Sequence, residues 1–575
     1  MSSSTYWERW SKRNRSRRSL LAGSSVAAAG VAGLALVGCG GGDSSKSSAT
    51  PGANQGNLTP IAPTQTTEKP VAGGVLRQAG GPIGSVLDIH QTNTPYESAG
   101  VWHWAGNFLM RFSAQSPNLP EPDLAAAQPE IPGDGTLLTF KLRPEAKWQN
   151  LAPVNGRQVT AEDVKATFER IKSLGAKSPR SGNYVNVESI TAVDKTTVQF
   201  KLKAPQADLL SAMSDQYDLI IPKEIADRGV DAIKGINDVI GSGPYQLTTF
   251  EAGQRIVMSK RKDGYWKPNT AWLDGWDLVN MVDTQQLSNA LKANQVDVVG
   301  LPVDLAKSYD GDKNYTITRA PNPTRECVLI NHNKDRYKDA RVRQAIWRAI
   351  NRKQVYDTVF GGAGIPSGPM TPAASAWLLP DAELAKMPGF GDRATELKEA
   401  KALLSAAGLA DGFEDTILTA TAYNTNLVND VVVSNLAEIG IKLKTENVGT
   451  DFIAMFTREV KRDYNLCTTL FLSGPYPDAQ LFIYHHTGAG GSRNYADYGS
   501  AELDAMLDKQ RGVYDTKARL PLVQDIQRYI INNPGPAWVG SRIDYTVANA
   551  RVRNRVATPF LAGYPTAENV WLKQG

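Results

Sequence analysis

Apolar and polar side chains alternate at residues 137–142 and 197–202, the spacing of half-buried β-strands. Elsewhere the period is helical. Thr160-Ala161-Glu162-Asp163 opens one helix, with Thr160 placed to cap it and two acids at its positive end. Val164, Phe168 and Ile171 then give that helix a single apolar face. After Asp339, the residues Val342, Ile346, Ala349 and Ile350 form a second stripe, with Arg341, Arg343 and Arg348 off it. A third stripe runs through Leu397, Ala400, Leu403, Leu404 and Ala407 and stops at Gly408, a C-terminal cap. Residues 435–443 read as a helix end, a turn at Gly440 and a strand. Helices and strands alternate along the whole chain, which predicts α/β architecture without an internal repeat.

The beginning of the chain follows another pattern. Arg17-Arg18 lead into a soft apolar run, residues 20–37, which ends at Leu36-Val37-Gly38-Cys39. A basic segment, an apolar segment and a small residue before a cleavage point make an export signal rather than part of a fold. Its 18 residues are at the short limit for a membrane span and are diluted by Ser24, Ser25 and glycines. Leu-Val-Gly-Cys resembles a bacterial lipobox, which makes Cys39 the expected lipidated first residue of the mature protein. Ser16-Arg17-Arg18-Ser19-Leu20-Leu21 resembles a twin-arginine motif, with general secretion as the other route. Residues 1–38 are therefore the expected signal peptide. Residues 39–72, rich in Gly, Ser, Thr, Pro and Gln, have the composition of an unfolded tether.

Charge changes meaning once the signal is set aside. The chain holds 63 Lys+Arg and 58 Asp+Glu, a net of +5. Six of the basic residues and one acid, Glu8, lie before Cys39; without them 57 of each sign remain. The body is neutral, so nucleic acid is not an expected partner. More than 530 residues exceed what one core usually holds, and more than one lobe is expected. Cys327 and Cys467 stand in apolar, strand-like surroundings and read as buried free thiols. There is no GxSxG, no HExxH and no phosphate loop ending in GK[ST]. Gly362-Ala363-Gly364 is followed by Pro366, a turn rather than a dinucleotide motif. No cofactor and no catalytic residues are expected. His485-His486 are adjacent and point apart, which disfavours a metal site.

Several segments in one order resemble the extracytoplasmic solute-binding proteins of ATP-binding-cassette (ABC) importers, in the peptide/nickel-binding class, family 5. They are Gly73-Gly74-Val75-Leu76-Arg77, Phe140-Lys141-Leu142-Arg143-Pro144 and Val159-Thr160-Ala161-Glu162-Asp163-Val164, followed by Gly241-Ser242-Gly243-Pro244-Tyr245 and Asp263-Gly264-Tyr265-Trp266. Arg341-Val342-Arg343-Gln344-Ala345-Ile346 and Tyr498-Gly499-Ser500-Ala501-Glu502-Leu503-Asp504 complete the series. The resemblance implies a two-lobed α/β fold of the periplasmic-binding-protein type, the large class with an extra subdomain, and a ligand cleft between the lobes. By analogy, lobe I takes residues 73–112, 213–322 and 538–575, the extra subdomain 113–212, and lobe II 323–537. The hinge is expected near Asn322 and Pro534–Pro536.

The resemblance also implies a function: a monomeric receptor, anchored by lipid on the outer face of the cytoplasmic membrane, that hands a peptide-like or other small polar ligand to a permease. Sensing through the same fold is the alternative, and a secreted hydrolase a distant third. In the family's ligand loop an aromatic and two spacers precede an aspartate and a tyrosine, and in peptide binders the aspartate pairs with the ligand's ammonium group. Here that loop reads Leu472-Ser473-Gly474-Pro475-Tyr476-Pro477-Asp478. Tyr476 is kept, but Pro475 stands at the aspartate position and Leu472 at the aromatic one, which weakens a free-amine peptide as ligand. Asp478 either meets ligand or holds the loop. Tyr96, Trp102 and Trp104 are candidates for an aromatic cleft wall or for lobe packing. Arg325 reads as a partner for a ligand carboxylate or as half of a surface salt bridge, and Arg493, in a glycine-rich loop, as a further candidate.

Overall fold

The computed structural model describes residues 66–92, 95–112, 119–488, 493–555 and 566–574. The signal segment, Cys39 and most of the tether lie outside them, as does the side chain of Tyr96. No helix among the described residues is long and apolar enough to cross a membrane.

The two alternating segments form strands Leu137–Lys141 and Thr197–Leu202, antiparallel neighbours in a three-stranded sheet with Val187–Ala192. Leu138 pairs with Phe200 and Phe140 with Val198, so the apolar side chains share one face. Helix Ala161–Leu174 covers that face, and Phe168 meets Phe200 edge-on at 5.3 Å. Thr160 is the N-terminal cap of this helix and forms a capping box with Asp163, whose carboxylate reaches back and accepts from the Thr160 N–H at 2.8 Å. Asp163 is fully buried and also takes both ends of the Arg157 guanidinium, at 2.8 and 2.6 Å. The other two stripes form helices Ala340–Ala349 and Arg393–Ala406. Gly408 ends the latter in the left-handed region, φ 77°.

Most strands belong to one curled sheet of twelve. Its centre is the long strand Ala537–Asn549. The first residues of this strand pair with Thr324–Ile330, and from Ile543 onward it pairs with Tyr315–Pro321. Beyond Thr324–Ile330 lie Leu466–Leu472, Phe413–Thr419 and Ile441–Asn447. On the other side lie Val298–Leu301, Val75–Gly80 and Gly275–Asn280. Each half has its own apolar core: one around Trp102, Trp104, Phe140 and Trp276, the other around Val328, Ile346, Trp347 and Trp538. This is the two-lobed α/β arrangement. Cys327 and Cys467 are buried and free in the second core.

The chain passes between halves twice. One passage is Asn322-Pro323, where Asn322 donates to Arg542 O at 2.8 Å and to Asp544 Oδ2 at 2.6 Å. The other lies within the long strand, which changes partners around Gly540–Arg542. Gly540 has φ 146°, and a Cβ there would overlap Ile365 O, so a side chain is excluded by both geometry and space.

Candidate functional site

Strand Leu466–Leu472 is buried on both faces, and Pro475 and Pro477 keep the following residues out of the sheet. The loop turns into the short helical segment Asp478–Phe482. Across from it stand residues 179–186 and 203–215. Between these two walls lies a cavity of about 540 Å³, lined among others by Arg180, Lys203, Asp215, Tyr476, Arg493 and Arg511.

Direct bonds join the walls. The Asp478 N–H donates to Asp208 Oδ2 at 2.5 Å, and Arg519 Nη1 donates to Asp208 Oδ1 at 2.5 Å. Asp208 and Arg519 are 1% and 4% exposed, so this pair is buried. Gln510 Oε1 accepts from Arg519 Nε at 2.8 Å, while Gln510 Nε2 and Arg511 Nε donate to the Asp478 carboxylate at 3.0 and 2.7 Å. Nearby, Tyr514 Oη donates to Gly135 O at 2.9 Å and Ala207 N to Arg511 O at 2.7 Å. The bonds to Asp208, Gly135 and Ala207 run from one wall to the other, whereas those among Asp478, Gln510, Arg511 and Arg519 lie within one wall and hold it in shape.

The charges inside divide unevenly. Arg180 lies 3.2 Å from Asp215 and stacks over Tyr217 at 4.5 Å. Burial, then the Asp215 charge, hold the Tyr476 phenol well above its ordinary pKa, so it stays a neutral donor. Behind it Asp218 is fully buried; burial first, then Asp215, raise its carboxyl, whose Oδ2 accepts from Tyr184 Oη at 2.9 Å. Arg493 donates from one nitrogen to Leu472 O and to Tyr484 Oη, both at 3.3 Å. A cavity of this size with a few polar groups suits the binding of a small ligand.

Residues 120–494 match the family model described as bacterial extracellular solute-binding proteins, family 5 (middle region). The chain belongs to this family. The family 5 chain is 26% identical over 483 residues to heme-binding protein A of Haemophilus influenzae, covering 79% of this chain and 84% of that one. It is 25% identical over 490 residues to the dipeptide-binding protein of Escherichia coli strain K12, covering 80% and 87%. The solved structure of HbpA2 from Haemophilus parasuis shares the fold, with TM-score 0.73, 23% identity, and 87% and 100% coverage. These relatives are binding proteins, and the family works outside the cytoplasm.

Tyr476, Asp478 and Arg493 of this family 5 protein line the cavity together. Asp478 is tied down by Gln510 and Arg511. Trp102 and Trp104, considered for the cleft, sit instead in the first core. Trp102 Nε1 donates to Leu87 O at 2.8 Å, and Trp104 stacks flat on Trp276 at 5.3 Å. Arg325 also departs from expectation. It is fully buried, donates to Pro369 O, Ser473 Oγ and Gln480 O, and lies 3.8 Å over the Trp538 ring. Burial lowers its pKa to about 10. No carboxylate pairs with it among the described residues, because the strand carrying it is enclosed on both sides; it braces the ligand loop from behind. Arg180, Lys203, Asp208 and Arg519 escaped sequence reasoning. Asp208 and Arg519 are 311 positions apart, and no local pattern marks either.

Proposed function

We propose that the protein is a lipid-anchored receptor that captures a peptide-like or other small polar ligand and delivers it to an ABC-transporter permease. The cavity of about 540 Å³ enclosed between residues 179–215 and 472–512, with bonds joining its walls, carries this reading. The volume suits a ligand of a few residues or rings. The names of the curated relatives, a dipeptide-binding and a heme-binding protein, agree with import of small solutes. Bending at Asn322-Pro323 and Gly540–Arg542 would part the walls. Ligand contacts made to both walls would then favour the joined state that a permease engages. The lipid on Cys39 and the tether behind it would hold the receptor near that permease.

The test is small-angle scattering of the mature chain, stripped of bound compound and then reloaded with it. The radius of gyration should fall on reloading. An unchanged radius, together with no compound that raises Tm, would remove the solute-receptor reading.

A further inference from the structure

The acids lining the cavity mostly face a cation, whereas two of its cations face no acid among the described residues. Asp215 faces Arg180, Asp478 holds Arg511, and Asp208 is taken by Arg519. Asp508, at the open side with 62% of its side chain exposed, faces His486 at 3.4 Å. The Lys203 ammonium donates to Val185 O at 3.0 Å and has no carboxylate within ion-pair distance among the described residues. Half-buried Arg493 bonds only the Leu472 carbonyl and the Tyr484 hydroxyl, and no carboxylate lies within ion-pair distance of it among the described residues. Its pKa is raised, first by Tyr484, while burial and the Arg180 charge on the opposite wall act against it. Thus closing the walls brings two guanidinium groups toward one space, one of them uncompensated. The 472–478 loop carries Pro475 where peptide binders of the family are expected to carry an aspartate, so that position offers no acid to an ammonium group.

Building on the receptor reading, we propose that the ligand carries a carboxylate, which seats between Arg493 and Arg180, and that no ammonium group is required for binding. A carboxylate matches the planar fork of a guanidinium by paired hydrogen bonds. The anion also relieves the repulsion between the two walls, so it binds the closed form better than the open one, the condition for a ligand to drive closure. Asp208, Asp215 and Asp478 around the space favour a single negative charge over a doubly charged phosphate ester. Tyr476, kept neutral, supplies a donor to a second oxygen on the ligand.

The experiment uses the full mature chain and its Arg493→Gln and Arg493→Lys variants. Compounds released on denaturing protein purified from its own organism are identified by mass spectrometry. In parallel, Tm shifts and calorimetric affinities are measured with N-acetyl-trialanine, its C-terminal amide, unblocked trialanine and glucose 6-phosphate. The expected result is a carboxylate-bearing compound on wild type and Arg493→Lys, absent from Arg493→Gln. N-acetyl-trialanine should bind at least about 30-fold tighter than its amide, and Arg493→Gln should erase that difference at unchanged ligand-free Tm. A neutral or cationic co-purified compound, an amide bound as tightly as the acid, preference for glucose 6-phosphate, or an Arg493→Gln chain that still retains the compound would each overturn the carboxylate site. The receptor reading would survive those results. A wild-type chain that yields no compound and responds to no probe overturns both.

Discussion

Asp208 is the residue whose loss should most directly loosen the closed receptor. Its two carboxylate oxygens accept from opposite directions, Oδ1 from Arg519 and Oδ2 from the Asp478 N–H, each at 2.5 Å. Asp208→Asn keeps the shape and leaves one amide hydrogen facing a donor. Removing one partner of a buried ion pair costs about 3–5 kcal/mol, and Arg519 keeps Gln510 Oε1, so the lower end, roughly 3 kcal/mol, applies. Because the contact joins the two walls, the loss falls on the closed state alone. At 1.4 kcal/mol per tenfold, the affinity for the compound recovered from wild type should fall roughly 100-fold, with the ligand-free Tm little changed. Isothermal calorimetry measures the affinity and differential scanning calorimetry the Tm. A double-mutant cycle with Arg519→Met should show coupling above about 1 kcal/mol. Additive effects, or an affinity within threefold of wild type, would refute the latch.

Three of the five histidines are buried and a fourth, His332, is half-buried: burial lowers His90 and His103 to about 4, and His332 and His485 to about 3. Unfolded histidine takes its proton near 6.5, so their contribution is complete above that pH and is lost as pH falls toward 4. Burial raises Glu326 and Glu459 to about 7, which works the other way: the fold keeps two protons that the unfolded chain releases above 4.5. Four groups against two leave Tm rising with pH between about 4.5 and 6.5, and Glu326→Gln with Glu459→Gln should steepen that rise. Trp104→Ala should cost about 3–5 kcal/mol by urea unfolding, since it empties the stack on Trp276. Cys39→Ala should abolish fatty-acid labelling and release the protein from membranes on fractionation; retained labelling would exclude the anchor.

The elements that could be read from sequence are those whose pattern is local. Phe140 and Phe200 announce a half-buried sheet by alternation, and Gly408 announces the end of a helix by the left-handed turn it permits. The Tyr476 loop was legible only through its resemblance to the family's ligand loop, not through any local pattern. Arg325 was misread because a charged residue before an apolar run looks like a strand edge. Its burial depends on Trp538, more than two hundred residues away, offering a ring face, and on three oxygens from other segments. The second cation of the cavity, Arg180, was silent for a related reason: its significance comes from standing opposite Arg493. Such juxtapositions are products of the topology, and composition around each residue is ordinary.

The position of the long strand Ala537–Asn549 has a consequence for how the molecule is made. It is hydrogen-bonded into both halves of the sheet, yet it is made after every strand it pairs with. Neither half can complete its sheet before residues 537–549 are made, because Thr324–Ile330 and Val298–Leu301 both wait for the same later partner. The two halves therefore finish folding together, once residues 537–549 have been made. A chain stopped before residue 537 would expose two unpaired sheet edges at once, a form that quality-control proteases and chaperones are equipped to intercept.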